Sequence, residues 1–427
     1  MTQILFQNAR LIDPALDLDA VSDLLVAGDR IATVGQNLPV PDGAEVVRCD
    51  GAVLAPGLVD VHVHFRDPGQ TQKETLETGC QAAAAGGFTA VITMANTKPA
   101  IDTPEAIASC IARNKSMDCR IYPAGAVTVG LGGKELTDFA ALKAAGAPCF
   151  TDDGLTVADG PLFYSAMEKA AELDIPISVH CEAHGFEGDR SMNRGVISHK
   201  LGLSGVPALA EELMIMRDVF FAEKTGAHVH VQHVSSARGV EIIAAAKERG
   251  VHVTAEATPH HMTLDETVVL ECGTNAKMSP PLRLPEDVVA VRDALIDGVL
   301  DVVATDHAPH TPAEKALGMA KAPNGIIGLE TSLSVCLDEL YHKCGFPLIK
   351  LIERMSTAPR RIFKLPEVTL SAGGTADLVL FDPEADWLVD PAKFRSKGRN
   401  CPYGGRVLKG KVLMTLLAGR VTYDDRK

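Results

Sequence analysis

The chain has 427 residues, 46% of them hydrophobic and 22% charged, which excludes a disordered protein and leaves room for one large domain and a smaller one. A formal charge of -14 leaves no basic stripe to neutralise phosphates, so no nucleic-acid partner is expected. No apolar run is long enough to span a bilayer, and Met1 to Phe6 lacks a basic stretch followed by an apolar core, so the expectation is a cytoplasmic protein without a membrane partner.

The first 55 residues hold short apolar runs, Ile4-Leu5-Phe6, Asp23-Leu24-Leu25-Val26 and Ile31-Ala32-Thr33-Val34, broken by Gly and Asp turns. That pattern predicts a β-meander. Eight strand-like runs follow: Leu58 to Phe65, Thr89 to Ala95, Arg120 to Ala126, Ala147 to Thr151, Ile175 to His180, His228 to His233, His252 to Ala257 and Leu300 to Thr305. Alanine- and leucine-rich helical segments lie between most of them, among them Glu74 to Ala85, Leu162 to Leu173 and Ala237 to Arg249. Strand–helix alternation repeated eight times predicts a (β/α)8, TIM-like barrel over residues 56–369. From about residue 370 the runs again resemble the amino-terminal ones, in Ala376 to Asp382, Val412 to Leu417 and Gly419 to Val421. Residues 1–55 and 370–427 are therefore expected to pair into one small β-sandwich domain. The ten cysteines are scattered with no CxxC pair and read as reduced, mostly buried thiols.

The most informative stretch is Asp60-Val61-His62-Val63-His64-Phe65-Arg66-Asp67-Pro68-Gly69. Alternate residues of a strand share a face, so His62, His64 and Arg66 should point the same way. Imidazoles suit zinc-like metals, and a guanidinium offers a planar fork for a carboxylate. Further candidates sit where barrel strands should end: Asp152 and Asp153 after the fourth, His180 after the fifth, His233 after the sixth and Asp306 after the eighth. Four histidines and two carboxylates exceed the needs of one tetrahedral zinc, whereas two metals about 3.5–4 Å apart would use them all. Asp306, last in the barrel, is then the candidate acid/base that moves a proton from water to a leaving nitrogen. His184, His199, His228, His230, His252, His260, His261, His307 and His342 are given structural roles.

The strings His62 to Gly69, Met94-Ala95-Asn96-Thr97-Lys98-Pro99, Thr151-Asp152-Asp153-Gly154, Thr305 to His310 and Gly328-Leu329-Glu330-Thr331 resemble the amidohydrolase superfamily, and within it the dihydroorotases of the long bacterial type, nearly end to end. The resemblance implies reversible interconversion of N-carbamoyl-L-aspartate and (S)-dihydroorotate in pyrimidine biosynthesis. It implies attack by a hydroxide held between two Zn2+ ions on His62, His64, Asp153, His180, His233 and Asp306. The 27 residues separating Asp153 from His180 match the family interval and make Asp153 the bridging ligand. By the same resemblance His64, Arg66, Asn96, Ser279, His310, Asn324 and Gly325 contact substrate, with Ser279 standing where many members have Asn and Asn324-Gly325 where Phe-Gly is commoner. A homodimer and association with aspartate transcarbamoylase are further expectations of the resemblance.

Three rivals are weighed against it. Hydantoinases and allantoinases usually bridge their metals with a carboxylated lysine after the fourth strand, and no lysine occurs here between Lys143 and Lys169. They also lack the Arg66 arrangement. A catalytically dead scaffold for aspartate transcarbamoylase typically loses ligand histidines, which this chain keeps.

Overall fold

The structure is a computed structural model describing residues 3–186 and 188–426, a mixed α/β architecture. Five strands open the chain: β1 (Gln3–Asp13), β2 (Leu18–Ala27), β3 (Arg30–Gly35), β4 (Glu45–Arg48) and β5 (Val53–Pro56). β1 to β3 form the antiparallel meander that the turns predict, but β4 and β5 both run parallel to β1, Leu5 facing Val46 and Leu11 facing Leu54. The chain after β3 crosses over through Pro39 and Pro41 instead of turning straight back, as parallel pairing requires.

The middle of the chain carries β6 (Leu58–Val63), β7 (Phe88–Thr93), β8 (Arg120–Pro123), β9 (Ile177–Val179), β10 (Val229–Val231), β11 (Val253–Ala257) and β12 (Val302–Val303). β6, β7 and β8 pair in parallel, as do β9 to β12 in sequence order. Every residue of β6 and β7 is buried, which fits strands covered on both faces. The fourth expected strand, Ala147 to Thr151, contracts to Phe150, which bridges Gly125 on one side and Ile177 on the other. Pro148 has no N–H to extend the ladder there. A further parallel bridge joins Val63 to His307, beyond β12.

The helix Leu76–Ala85 positions the first site segment. Thr75 caps it, its hydroxyl accepting from Thr78 N while Thr78 Oγ1 accepts from Thr75 N. A Cβ on Gly79 would lie 2.4 Å from the Phe65 ring, so only glycine lets Phe65 pack there and hold the chain that carries His64 and Arg66.

β13 (Leu378–Leu388), β14 (Val407–Leu417) and β15 (Arg420–Asp424) complete an eight-stranded sheet in the order β15-β14-β13-β5-β1-β2-β3, with β4 beside β1. Its period-two alternation divides it between two cores. Leu54, Leu378 and Leu380 join Ile4, Phe6 and Leu24 in the sheet's own core, whereas Val53, Ala55, Val379 and Phe381 pack into the main α/β core. At about 1.5–3 kcal/mol for each large apolar side chain fully buried, the second face is sufficient to fasten the sheet to the strands and helices. No helix among the described residues is long and apolar enough to cross a membrane.

Candidate active site

The carboxyl ends of the middle strands converge. His62 lies within β6, His64 just beyond it, Asp153 after Phe150, His180 directly after β9, His233 after β10 and Asp306 after β12. Arg66, His233 and Asp306 adopt φ of 57°, 33° and 45°. Such left-handed backbone in non-glycine residues costs on the order of 1 kcal/mol or more each and persists where the surroundings over-determine it. Arg66 therefore leaves the strand face predicted for it, since β6 ends at Val63, yet it still lines the same cavity as His64.

Asp153 occupies the centre. Its Oδ1 is 3.3 Å from His62 Nε2, 3.8 Å from His180 Nδ1 and 4.0 Å from His233 Nε2, and its Oδ2 is 3.3 Å from His64 Nε2. Asp306 Oδ1 is 2.9 Å from His64 Nε2 and 3.5 Å from His62 Nε2. Asp152, by contrast, turns away and accepts from Val127 N, Thr128 N and the Thr128 hydroxyl.

Three of the histidines are oriented by acceptors behind them. His62 Nδ1 meets Glu256 Oε1 at 2.6 Å, and His180 Nε2 meets Glu182 Oε2 at 3.2 Å. His64 Nδ1 meets Asn96 Oδ1 at 3.0 Å, the same amide giving its N–H groups to the Asp153 carbonyl and carboxylate. Each acceptor holds a proton on the ring nitrogen that faces it and leaves the other nitrogen turned toward the cluster. His62 Nε2 is fully buried without a hydrogen bond.

Electrostatics divide the cluster. Burial opposes charge on His62, but Glu256, Asp153 and Asp306 outweigh it and raise its pKa well above the ordinary value. His233 falls to about 3 through burial and its neighbours His180 and His62. Burial likewise resists ionisation of Asp153 and Asp306, yet the surrounding histidines, His62 foremost, hold both below the usual carboxylate range. Both acids are thus anionic at neutral pH, in a pocket suited to cations.

The cluster opens into a cavity of about 190 Å³ whose walls include Arg66, Asn96, Ser279, Asn324 and Gly325. No acidic side chain lies within ion-pair distance of Arg66 among the described residues; its Nε points at Pro309 O (3.4 Å) and Nη2 at His310 Nε2 (3.3 Å). His310 does not line this cavity: it backs Arg66, with Nε2 also 2.8 Å from Asn324 O and Nδ1 3.3 Å from Lys73 Nζ. Burial and the cations Arg66, Lys73 and Lys315 lower its pKa to about 2. Gly325 uses its N–H on Lys277 O and its carbonyl on Lys315 Nζ and Asn400 Nδ2, so the backbone expected to meet a ring is engaged within the protein. On this wall the buried Asn324 Oδ1 has no hydrogen-bond partner among the described residues. Ser279 Oγ donates to Glu182 Oε2 at 3.3 Å.

Residues 51–239 match the family described as Dihydro-orotase-like. The chain is 45% identical to the dihydroorotase of Clostridioides difficile over 99% of its own length and all of that protein, and 43% identical to the dihydroorotase of Lactococcus lactis with the same coverage. The chain belongs to the dihydroorotase family. Among solved structures, the L-hydantoinase (dihydropyrimidinase) of Arthrobacter aurescens superposes with a TM-score of 0.89 over 99% of this chain and 96% of that one, at 25% identity. The fold is thus shared with hydantoinases, while the much higher identity lies with dihydroorotases.

The sequence reading overlooked Glu256, Glu182 and Arg190. Glu256 interrupts an apolar strand as the clustered histidines do, and Glu182 follows His180 at the spacing of His62 and His64. Both signals were legible. Arg190, which pairs with Glu182 at 3.1 Å, lies in a loop with no pattern to announce it.

Proposed function

We propose that the protein is a metal-dependent dihydroorotase, hydrolysing (S)-dihydroorotate to N-carbamoyl-L-aspartate and closing the ring in reverse. The observation that carries this is Arg66, a guanidinium without a carboxylate partner among the described residues, opening on the cavity that the His/Asp cluster floors. A guanidinium so placed awaits an anionic substituent on the substrate, and dihydroorotate carries a carboxylate on its ring.

The bridges at Phe150 and between Val63 and His307 support reading the parallel strands as a closed (β/α)8 barrel over residues 56–369, bracketed by a small β-domain in which residues 1–55 and 370–427 share one sheet. The inward lone pairs of His62, His64 and His180, the orphaned His62 Nε2 and the two anionic carboxylates fit a pair of zinc ions. Ligand atoms lie within 4.8 Å of one another in the sets His62–His64–Asp153, His62–His233–Asp306 and Asp153–His180–His233. His62, His233 and Asp153 each occur twice, but of the three only Asp153 has two oxygens, Oδ1 toward His62, His180 and His233 and Oδ2 toward His64, which supports it as the bridge. Bound there, the ions supply Lewis acidity that polarises a carbonyl and makes water easier to deprotonate.

The remaining work falls to the chain. Arg66 holds the substrate carboxylate, and Asn324 Oδ1 offers an acceptor to a ring N–H. Asp306, ionised and beside His64, takes the proton of the attacking water and returns it to the departing ring nitrogen. Asn96, whose amide is committed to His64 and Asp153, orients these two in place of the carboxylate contact expected of it. The ten free cysteines support a reducing compartment such as the cytoplasm. Asp306→Asn should lower turnover by about 100-fold or more, the scale of a lost acid/base group, with the fold unchanged by circular dichroism. Near-wild-type turnover would remove Asp306 from this role.

A further inference from the structure

The connection between β13 and β14, residues 389–406, leaves the end sheet and lies against the loops that follow β12. Asn400, 2% exposed, is its point of attachment. Its Nδ2 donates to Ala308 O at 3.0 Å and Gly325 O at 2.9 Å, its Oδ1 accepts from His310 N at 3.2 Å, and its own carbonyl accepts from Ile327 N at 3.0 Å. One residue thereby joins the two ends of the segment 308–327. Ala308, Asn324 and Gly325 of that segment line the active-site cavity, and Asn400 does not.

The requirement is specific to an amide. Two donated hydrogens meet two carbonyls and one acceptor meets an N–H, a combination that an aspartate of nearly the same shape cannot supply. The connection is itself anchored at two carboxylates. Glu330 accepts from Arg395 N at 3.0 Å and Ser396 N at 3.1 Å, and Glu74 accepts from Lys397 N at 3.1 Å and from the Ser396 hydroxyl. Close approach is enforced at Gly398, where a Cβ would stand 2.7 Å from Ile327 and 2.9 Å from Pro309.

We propose that Asn400 is a positioning residue of the active site, supplied by the β13–β14 connection, and that it acts on the substrate through Arg66. Asn400 fixes His310 N; His310 Nε2 stands 3.3 Å from Arg66 Nη2, and the neighbouring Pro309 carbonyl lies 3.4 Å from Arg66 Nε. Loosening this segment frees the guanidinium to leave its line on the substrate carboxylate, while the His/Asp cluster, held by Glu256, Glu182 and Asn96, stays as it is. The proposal rests on the dihydroorotase reading for its kinetic consequence and not for its structural one.

The test uses the full-length, metal-replete protein and the variants Asn400→Ala and Asn400→Asp. In both, KM for dihydroorotate should rise by about 10- to 100-fold with kcat within about 3-fold and metal content unchanged, because orientation of a remote substrate group is lost and not the reacting centre. Hydrogen–deuterium exchange should quicken in peptides covering 305–328 and stay unchanged in those covering β6 and β7. Should Asn400→Ala fail to fold, the near-isosteric Asn400→Asp decides. A KM within about twofold of wild type in Asn400→Asp, or exchange raised evenly along the chain, would overturn the proposal, since a residue that only fills space predicts both. A wild type inactive toward dihydroorotate would instead defeat the functional reading and leave the exchange measurement to judge the loop contact.

Discussion

Asp152 and Asp153 are neighbours in sequence with opposite surroundings. Asp153 meets four imidazoles, whereas Asp152 accepts from Val127 N, Thr128 N and the Thr128 hydroxyl, burial raising its pKa to about 6 against those bonds. Asp153→Ala should therefore lose metal, because the histidines would face two cations without the shared anion. Asp152→Ala should keep metal but lose stability by about 1–3 kcal/mol, the cost of stranding buried N–H groups. Metal analysis and denaturant titration of the two variants check both halves. A carboxylate bridge needs no carbon dioxide, so reconstitution should proceed equally well without bicarbonate. Arg66 makes a second residue-level prediction. Arg66→Lys keeps the charge but gives up the bidentate fork, so the Michaelis constant for dihydroorotate should rise while metal content stays; an unchanged constant would mean that the substrate carboxylate lies elsewhere.

At the scale of elements, β11 does more than carry hydrogen bonds to its neighbours. Its Glu256, fully buried, meets His62 Nδ1, His230 Nε2 at 3.2 Å and His233 N at 3.0 Å, so one strand sets two candidate ligands. Glu256→Gln should weaken metal binding by about 10- to 100-fold, the usual consequence of removing a carboxylate behind a ligating histidine. Chelator competition measures it directly, and an affinity equal to wild type would reduce Glu256 to a packing residue. Seven of the eight predicted central strands are found, because strands covered on both faces must be apolar throughout and this is visible in a single sequence. The fourth was overextended, since Pro148 limits pairing to Phe150. Parallel return of β4 and β5 onto β1 was missed because register between distant strands leaves no local periodicity. His62, His64, His180, His233 and Asp306 stood out as candidates from their positions at strand ends, whereas Asp153 was separated from Asp152 only by the interval to His180 that the family resemblance supplied. His310 behind Arg66, the engaged amide of Asn96 and the reach of Asn400 depend on loop paths, which residue spacing does not encode.

For the molecule as a whole, the end sheet and the loops after β12 are joined through a half-buried carboxyl group. Glu330, where the β13–β14 connection is pinned, is pushed up to about 7 by burial against the two backbone N–H groups it accepts. The unfolded chain releases this proton near 4.5 whereas the folded chain keeps it until about 7, so stability falls as pH rises between those values. Glu330→Gln should flatten that decline, which denaturant titrations at pH 5 and pH 8 would detect; an unaltered pH slope would place the titration elsewhere. The central claim, that the His/Asp cluster and Arg66 together make a dihydroorotase, is tested most directly by one absorbance assay. Metal-replete protein is offered dihydroorotate alongside hydantoin, dihydrouracil and allantoin, which share the cyclic amide and lack the ring carboxylate. Turnover of dihydroorotate far above the other three is the predicted result, and equal or preferential turnover of a substrate without the carboxylate would contradict it.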